Sequence, residues 1–177
     1  MRLANPRRLP WLALVSAAVY AADQLSKIWV SHRLPIGGAI PVLPRVLRIT
    51  HWTNEGAAFS MFADSTSPLA VRWGLVAFTL LASLGVLVLM ILWGTRFRLA
   101  TVSLALIFGG ALGNLHDRVV YGSVVDFIEV HIFSYHWPDF NIADSAIVTG
   151  ACLLVLDSLL PQRDQAAAPE LHPPDEQ

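Results

Sequence analysis

Two carboxylates stand out for their setting. Asp126 lies within Val124-Val125-Asp126-Phe127, and Asp144 closes Phe140-Asn141-Ile142-Ala143-Asp144 at the start of an apolar run. A lone acid at such a start is ordinarily a helix cap or a partner of the helix dipole. Two carboxylates brought to one site behave differently. They cannot both ionise readily, so one is pushed to a higher pKa and the pair holds one proton. The charged member can take a proton from water while the neutral member donates to the oxygen under attack. That division of labour hydrolyses an amide without a covalent intermediate.

Other polar residues suit support better than chemistry. Asp23 and Lys27 are four apart with the acid first, the better order for an ion pair within one helix. Asp117 and Arg118 are adjacent, so on a helix they face different partners. Arg118 reads as the organiser of a carboxylate and Asn114 as a hydrogen-bonding residue between helices. Gly109, Gly110 and Gly113 read as a surface for close packing.

Rival chemistries lack their residues. No His-Glu-x-x-His occurs, and no Gly-x-Ser-x-Gly. His131 and His136 are five apart, near Asp126 and Glu129, and their spacing is better read as ordinary loop histidines than as metal ligands. No metal and no cofactor is therefore expected. Cys152 is the one cysteine, which excludes an intrachain disulfide, and it reads as a small buried apolar residue.

The elements that must carry these residues are apolar. The chain has 177 residues, of which 55% are hydrophobic and 14% charged. Soluble domains carry about 25% charged residues, so an ordinary soluble globule is excluded. A net charge of -1 without a basic patch argues against nucleic acid as a partner. Spans are expected at about residues 11–32, 69–93, 99–115 and 142–160, each near the 20 or so apolar residues that cross a bilayer. Backbone groups in lipid must bond internally, so these spans are expected to be helices. Residues 1–22 also have the outline of a cleavable signal peptide, with Val19-Tyr20-Ala21 as the cleavage site, but the helical pattern runs on through Leu25, Ile28 and Val30.

Four spans put both termini on one side, and Arg2, Arg7 and Arg8 favour the cytoplasm for it. Residues 161–177 read as a disordered cytoplasmic tail. The outer segments, about 33–68 and 116–141, are semi-apolar. Val46, Arg48, Thr50 and Trp52 alternate onto one face, which suggests a small sheet at the membrane surface. The second outer segment reads as a loop dipping into the interface. In this arrangement Asp23, Lys27, Asn54, Glu55, Asn114, Asp117, Arg118, Asp126, Asn141 and Asp144 all fall at one depth near the outer surface. A charge at mid-bilayer costs about 2.5–3.5 kcal/mol, so such a cluster implies a partner network or a polar cavity. Arg72 and Asp157 are expected to snorkel from helix ends.

The ordered set of motifs is similar to that of bacterial lipoprotein signal peptidase, also called signal peptidase II. The resemblance is carried by Asp23-Gln24-Leu25-Ser26-Lys27, Asn54-Glu55-Gly56-Ala57-Ala58-Phe59-Ser60, Gly109 to Asn114 with Asp117-Arg118, Gly122, Val124 to Phe127, and Trp137 to Asp144. It covers roughly residues 11–160, and residues 1–160 are expected to form a single membrane domain. His116 departs from it, since the family is more usually apolar there. The resemblance implies an integral-membrane aspartic endopeptidase of the bacterial inner membrane with its site near the extracytoplasmic face. It implies cleavage of prolipoproteins just before a diacylglyceryl-modified cysteine. It carries the catalytic role to Asp126 and Asp144, supporting roles to Asn54, Gly56, Asn114, Arg118, Asn141 and Ala143, and a structural role to Asp23 and Lys27. It also implies an all-α membrane protein of four transmembrane helices, with a small extracytoplasmic β-sheet and a loop or half-helix over the site. The chain is expected to act as a monomer on lipid-modified substrates, in contact with membrane lipid. An ion-coupled carrier with Asp23, Lys27, Asp126 and Asp144 as a proton relay is the second reading, although a relay needs polar groups toward both sides. A scaffold for membrane partners is the third.

Overall fold

The computed structural model describes residues 9–56, 67–93, 99–133 and 135–160. Long apolar runs without proline in their interiors become four helices. These are α1 (Leu9–Arg33), α2 (Pro68–Trp93), α3 (Leu99–Val120) and α4 (Ile142–Leu159). Between them lie β1 (Ala39–Leu43), β2 (Leu47–Asn54), β3 (Val124–Ile132) and β4 (Tyr135–Phe140). Among the described residues, three helices are long and apolar enough to cross a membrane: Leu69–Leu92, Leu99–Val120 and Ile142–Leu159. They expose the side chains lipid would cover, among them Phe78, Leu81, Val148 and Val155. Cys152 joins this exposed surface of α4, contrary to the buried position expected for it.

Helix α3 is the hub and packs against α1, α2 and α4. Leu12, Met90, Leu104 and Ala105 form the apolar core between helices. Gly109 lets α1 close on α3, since a Cβ there would stand 2.6 Å from the Ser16 carbonyl oxygen. The end of α3 lies beyond the expected residue 115. An apolar count stops at the first charges, but Asn114 and Asp117 are buried on one face of a helix that continues to Val120. Arg72 reaches across to the end of α3. Its Nε donates to the Arg118 carbonyl at 2.8 Å and its Nη2 to that of Val119 at 2.9 Å, satisfying the free carbonyls that end α3.

The sheet is larger than the sequence suggested. It is antiparallel in the order β1-β2-β3-β4, and the outer segment read as a loop supplies two of its strands. His131 and His136 therefore sit opposite each other on paired strands. The alternation of β2 is broken by a register shift between Ile49 and Trp52. An extra residue at a bulge reverses the facing of the residues after it. Thr50 and His51 are consequently both buried, while Trp52 is exposed. No half-helix stands over the sheet among the described residues, and residues 57–66 and the tail 161–177 lie outside them.

Candidate active site

Asp144 is held by the start of α4. Asn141 caps that helix. Its Oδ1 accepts from the Asp144 N–H at 2.9 Å, and Asp144 Oδ2 accepts from the Asn141 N–H at 3.3 Å. This reciprocal capping box fixes the carboxylate at the first turn. The other oxygen, Oδ1, accepts from Asn114 Nδ2 of α3 at 2.8 Å. An acid at this place was expected to be a cap or a dipole partner, and it is both.

Asp126 comes from β3, opposite Trp52 of β2. Its Oδ1 accepts from Asn141 Nδ2 at 2.8 Å and its Oδ2 from Asn54 Nδ2 at 3.1 Å. Asn141 is thus joined to both carboxylates. Asp126 and Asp144 line one cavity of about 620 Å³ together with Asn54, Asn114, Arg118, Trp137, Phe140 and Val148. Burial raises the Asp126 pKa to about 7, and the charge of Asp144 pushes the same way. The hydrogen bonds from Asn54 and Asn141 oppose the rise without cancelling it.

The remaining expected residues form the frame. Asn54 Oδ1 accepts from the Gly56 N–H at 3.0 Å, and Arg118 Nη2 donates to the Gly56 carbonyl at 3.1 Å. The loop after β2 is thereby tied to α3. Ala143 contributes through its backbone N–H, which donates to Asp23 Oδ1 at 2.9 Å. Lys27 Nζ lies 2.7 Å from Asp23 Oδ2 and 2.7 Å from Asp117 Oδ2, and donates to Asn114 Oδ1 at 3.1 Å. Asp23 and Lys27 form the pair that their spacing suggested, with a second acid added from α3. Asp117 and Arg118 do face different partners.

Three residues fall outside the expected roles. Gln24 bridges α1 and α3 by donating to Asp117 Oδ1 at 3.0 Å and to Asp23 Oδ2 at 3.2 Å. Its adjacency to Asp23 was the only signal available. His116 hydrogen-bonds Tyr20 and stacks near Tyr121, away from the cavity lining. Glu55 is exposed and does not join the site.

The profile of the family described as Signal peptidase (SPase) II matches residues 15–160. A lipoprotein signal peptidase of Geobacter metallireducens is 42% identical over 156 residues, covering 87% of this chain and 93% of the relative. One from Burkholderia mallei is 44% identical over 150 residues, covering 85% and 87%. A solved bacterial membrane enzyme, determined by the in meso method, superposes with a TM-score of 0.71 at 30% identity, over 90% of this chain and 92% of that one. A site of paired acids in a helical membrane frame thus coincides with similarity along nearly the whole chain, and the protein belongs to the signal peptidase II family of membrane peptidases.

Proposed function

We propose that the protein is an aspartic endopeptidase that removes signal peptides from diacylglyceryl-modified prolipoproteins, cutting just before the lipidated cysteine. The observation that carries this reading is the convergence of Asp126 and Asp144, from a strand and a helix, on one cavity with Asn141 bonded to both. Membership of the lipoprotein signal peptidase family supports the substrate class.

Asp126 starts protonated, because burial and the neighbouring charge favour its neutral form. Asp144 is the base of this reading, its carboxylate held by the Asn114 side chain and the Asn141 N–H. A water between them loses a proton to Asp144 as its oxygen bonds the peptide carbonyl carbon. Asp126 gives its proton to the carbonyl oxygen, leaving a neutral tetrahedral diol. Asp144 then protonates the amide nitrogen, Asp126 takes a proton from one hydroxyl, and the C–N bond breaks. The dyad returns to its first state. No metal takes part.

The membrane frame belongs to the same reading. Helix α1 acts as the fourth span, its charges neutralised by Lys27, Asp23 and Asp117 acting on one another. Both termini then face the cytoplasm, and residues 1–160 form one domain followed by a solvated tail, with the protein working as a monomer in the bacterial inner membrane. The carboxylates lie near the extracytoplasmic face. A diacylglyceryl chain gains about 0.8 kcal/mol per buried methylene, so it holds its cysteine at the membrane surface beside them. The test is cleavage by the purified protein of a diacylglyceryl-modified precursor and of its unmodified counterpart. Cleavage of the first before its cysteine is the expected result, and equal cleavage of both would reject lipoprotein specificity.

A further inference from the structure

The face of β3 that carries Glu129 and His131 alternates with the one that carries Asp126. His136 of β4 stands directly across from His131. Glu129 Oε1 lies 2.8 Å from His131 Nε2 and 3.2 Å from His136 Nε2, so both imidazoles aim at one oxygen. The three ligand atoms all lie within 4.8 Å of one another. His136 Nε2 is also 3.2 Å from Asp139 Oδ1. We propose that Glu129, His131 and His136 bind a divalent transition ion of the imidazole-preferring class that includes zinc, with the remaining position left to water.

The second oxygen of each carboxylate is already engaged. Arg48 Nε lies 3.2 Å from Glu129 Oε2, and Thr50 Oγ1 donates to Asp139 Oδ2 at 2.6 Å. The Arg48 ion pair thereby lies behind Glu129, whose other oxygen turns into the cluster between the two imidazoles. Two imidazoles with a carboxylate suit zinc and its neighbours, whereas calcium and magnesium take oxygen ligands. Zinc bonds of about 2.0–2.2 Å put tetrahedral ligand atoms about 3.3 Å apart, so the 3.2 Å separation already fits. The 2.8 Å separation opens by about 0.5 Å to admit the ion. Glu129 is buried and fixed, while the histidines are partly exposed, which leaves the ion a way in.

Such an ion ties β3 to β4. Trp137, Pro138 and Asp139 of β4 also line the cavity of the paired aspartates. Occupancy therefore stiffens one wall of that cavity from its far side, without entering the proposed chemistry.

The test is titration of the full chain in detergent, free of any polyhistidine tag, with zinc(II) by calorimetry. One equivalent should bind, and the melting temperature should rise. His131→Gln and His136→Gln should each weaken binding at least about tenfold and remove the thermal shift. His136 is the half-exposed member, so its variant keeps the test sound if the other fails to fold. Cobalt(II) should give the intense visible spectrum of a tetrahedral site in the wild type and lose it in His136→Gln. Asp126→Asn should retain the zinc affinity, which separates this site from the dyad. Absence of saturable zinc binding, or binding that both histidine variants leave unchanged, overturns the proposal.

Discussion

Asn141 joins the two aspartates of the proposed dyad. Its amide nitrogen reaches Asp126, its amide oxygen caps the backbone at Asp144, and it is wholly buried. Asp→Asn keeps the shape of the side chain but removes the acid and base. Asp126→Asn and Asp144→Asn should each lower kcat by about 10²–10⁴-fold, and the double variant should lose little more than either alone. Single-turnover assays with normal substrate binding will show this, and near-normal turnover in either variant would remove the dyad. The Asp126 pKa of about 7 sets the pH behaviour. Where Asp126 is the proton donor, kcat/KM falls as pH rises through about 7, and the Asp126→Asn profile loses that limb. Stability depends on pH through the same shift. The folded state holds this proton to a higher pH than the unfolded chain does, so the contribution of Asp126 to stability is largest at low pH. It declines from about pH 4 and levels off above about pH 7. Asp126→Asn should therefore melt higher than wild type at pH 8, and the gap should close toward pH 4. Chelation should leave turnover in place, because the proposed chemistry uses only side chains.

Among the elements, α1 and α3 are joined by charge as well as by packing. Lys27 neutralises Asp23 of its own helix and Asp117 of the other, and Gln24 links the same two acids. Asp23 in turn receives the Ala143 N–H, so the cluster also anchors the start of α4. Removing one partner of a buried ion pair costs about 3–5 kcal/mol. Lys27→Ala should lower the folded yield in detergent before it lowers turnover per folded molecule. Pairing Lys27→Met with Asp117→Asn should recover part of the yield by removing one stranded charge. A well-folded Lys27→Ala protein without turnover would instead put Lys27 in the chemistry. At the start of α4, Asn141→Ala removes the cap at a cost of about 0.5–2 kcal/mol. It also frees the Asp126 carboxylate from its buried donor, so its loss of activity should far exceed its loss of stability.

For the whole molecule, the proposed arrangement sets sidedness and substrate. Reporter fusions at Gly37 and in the tail should label opposite faces of the membrane. A tail found outside would turn the aspartates toward the cytoplasm and remove the match with a lipid-anchored substrate. Replacing diacylglyceryl-cysteine by plain cysteine should sharply lower kcat/KM, because the lipid supplies binding energy that positions the scissile bond.

The residues and three apolar spans were legible without a structure. Hydrophobic length fixes a membrane helix almost by itself, since lipid leaves the backbone no other partner. An acid in an apolar setting likewise marks itself, as Asp126 and Asp144 do. The Asp23–Lys27 pair follows from helical spacing alone. Tertiary structure decided what depends on contacts between distant segments. It made Asp117 the second partner of Lys27, carried α3 on to Val120, and set Arg72 against the end of that helix. It also turned an apparent loop into β3 and β4 and brought His131, His136 and Glu129 together. Strand pairing and register come from partners far along the chain and from bulges such as that between Ile49 and Trp52. A local pattern of apolar and polar residues does not contain them.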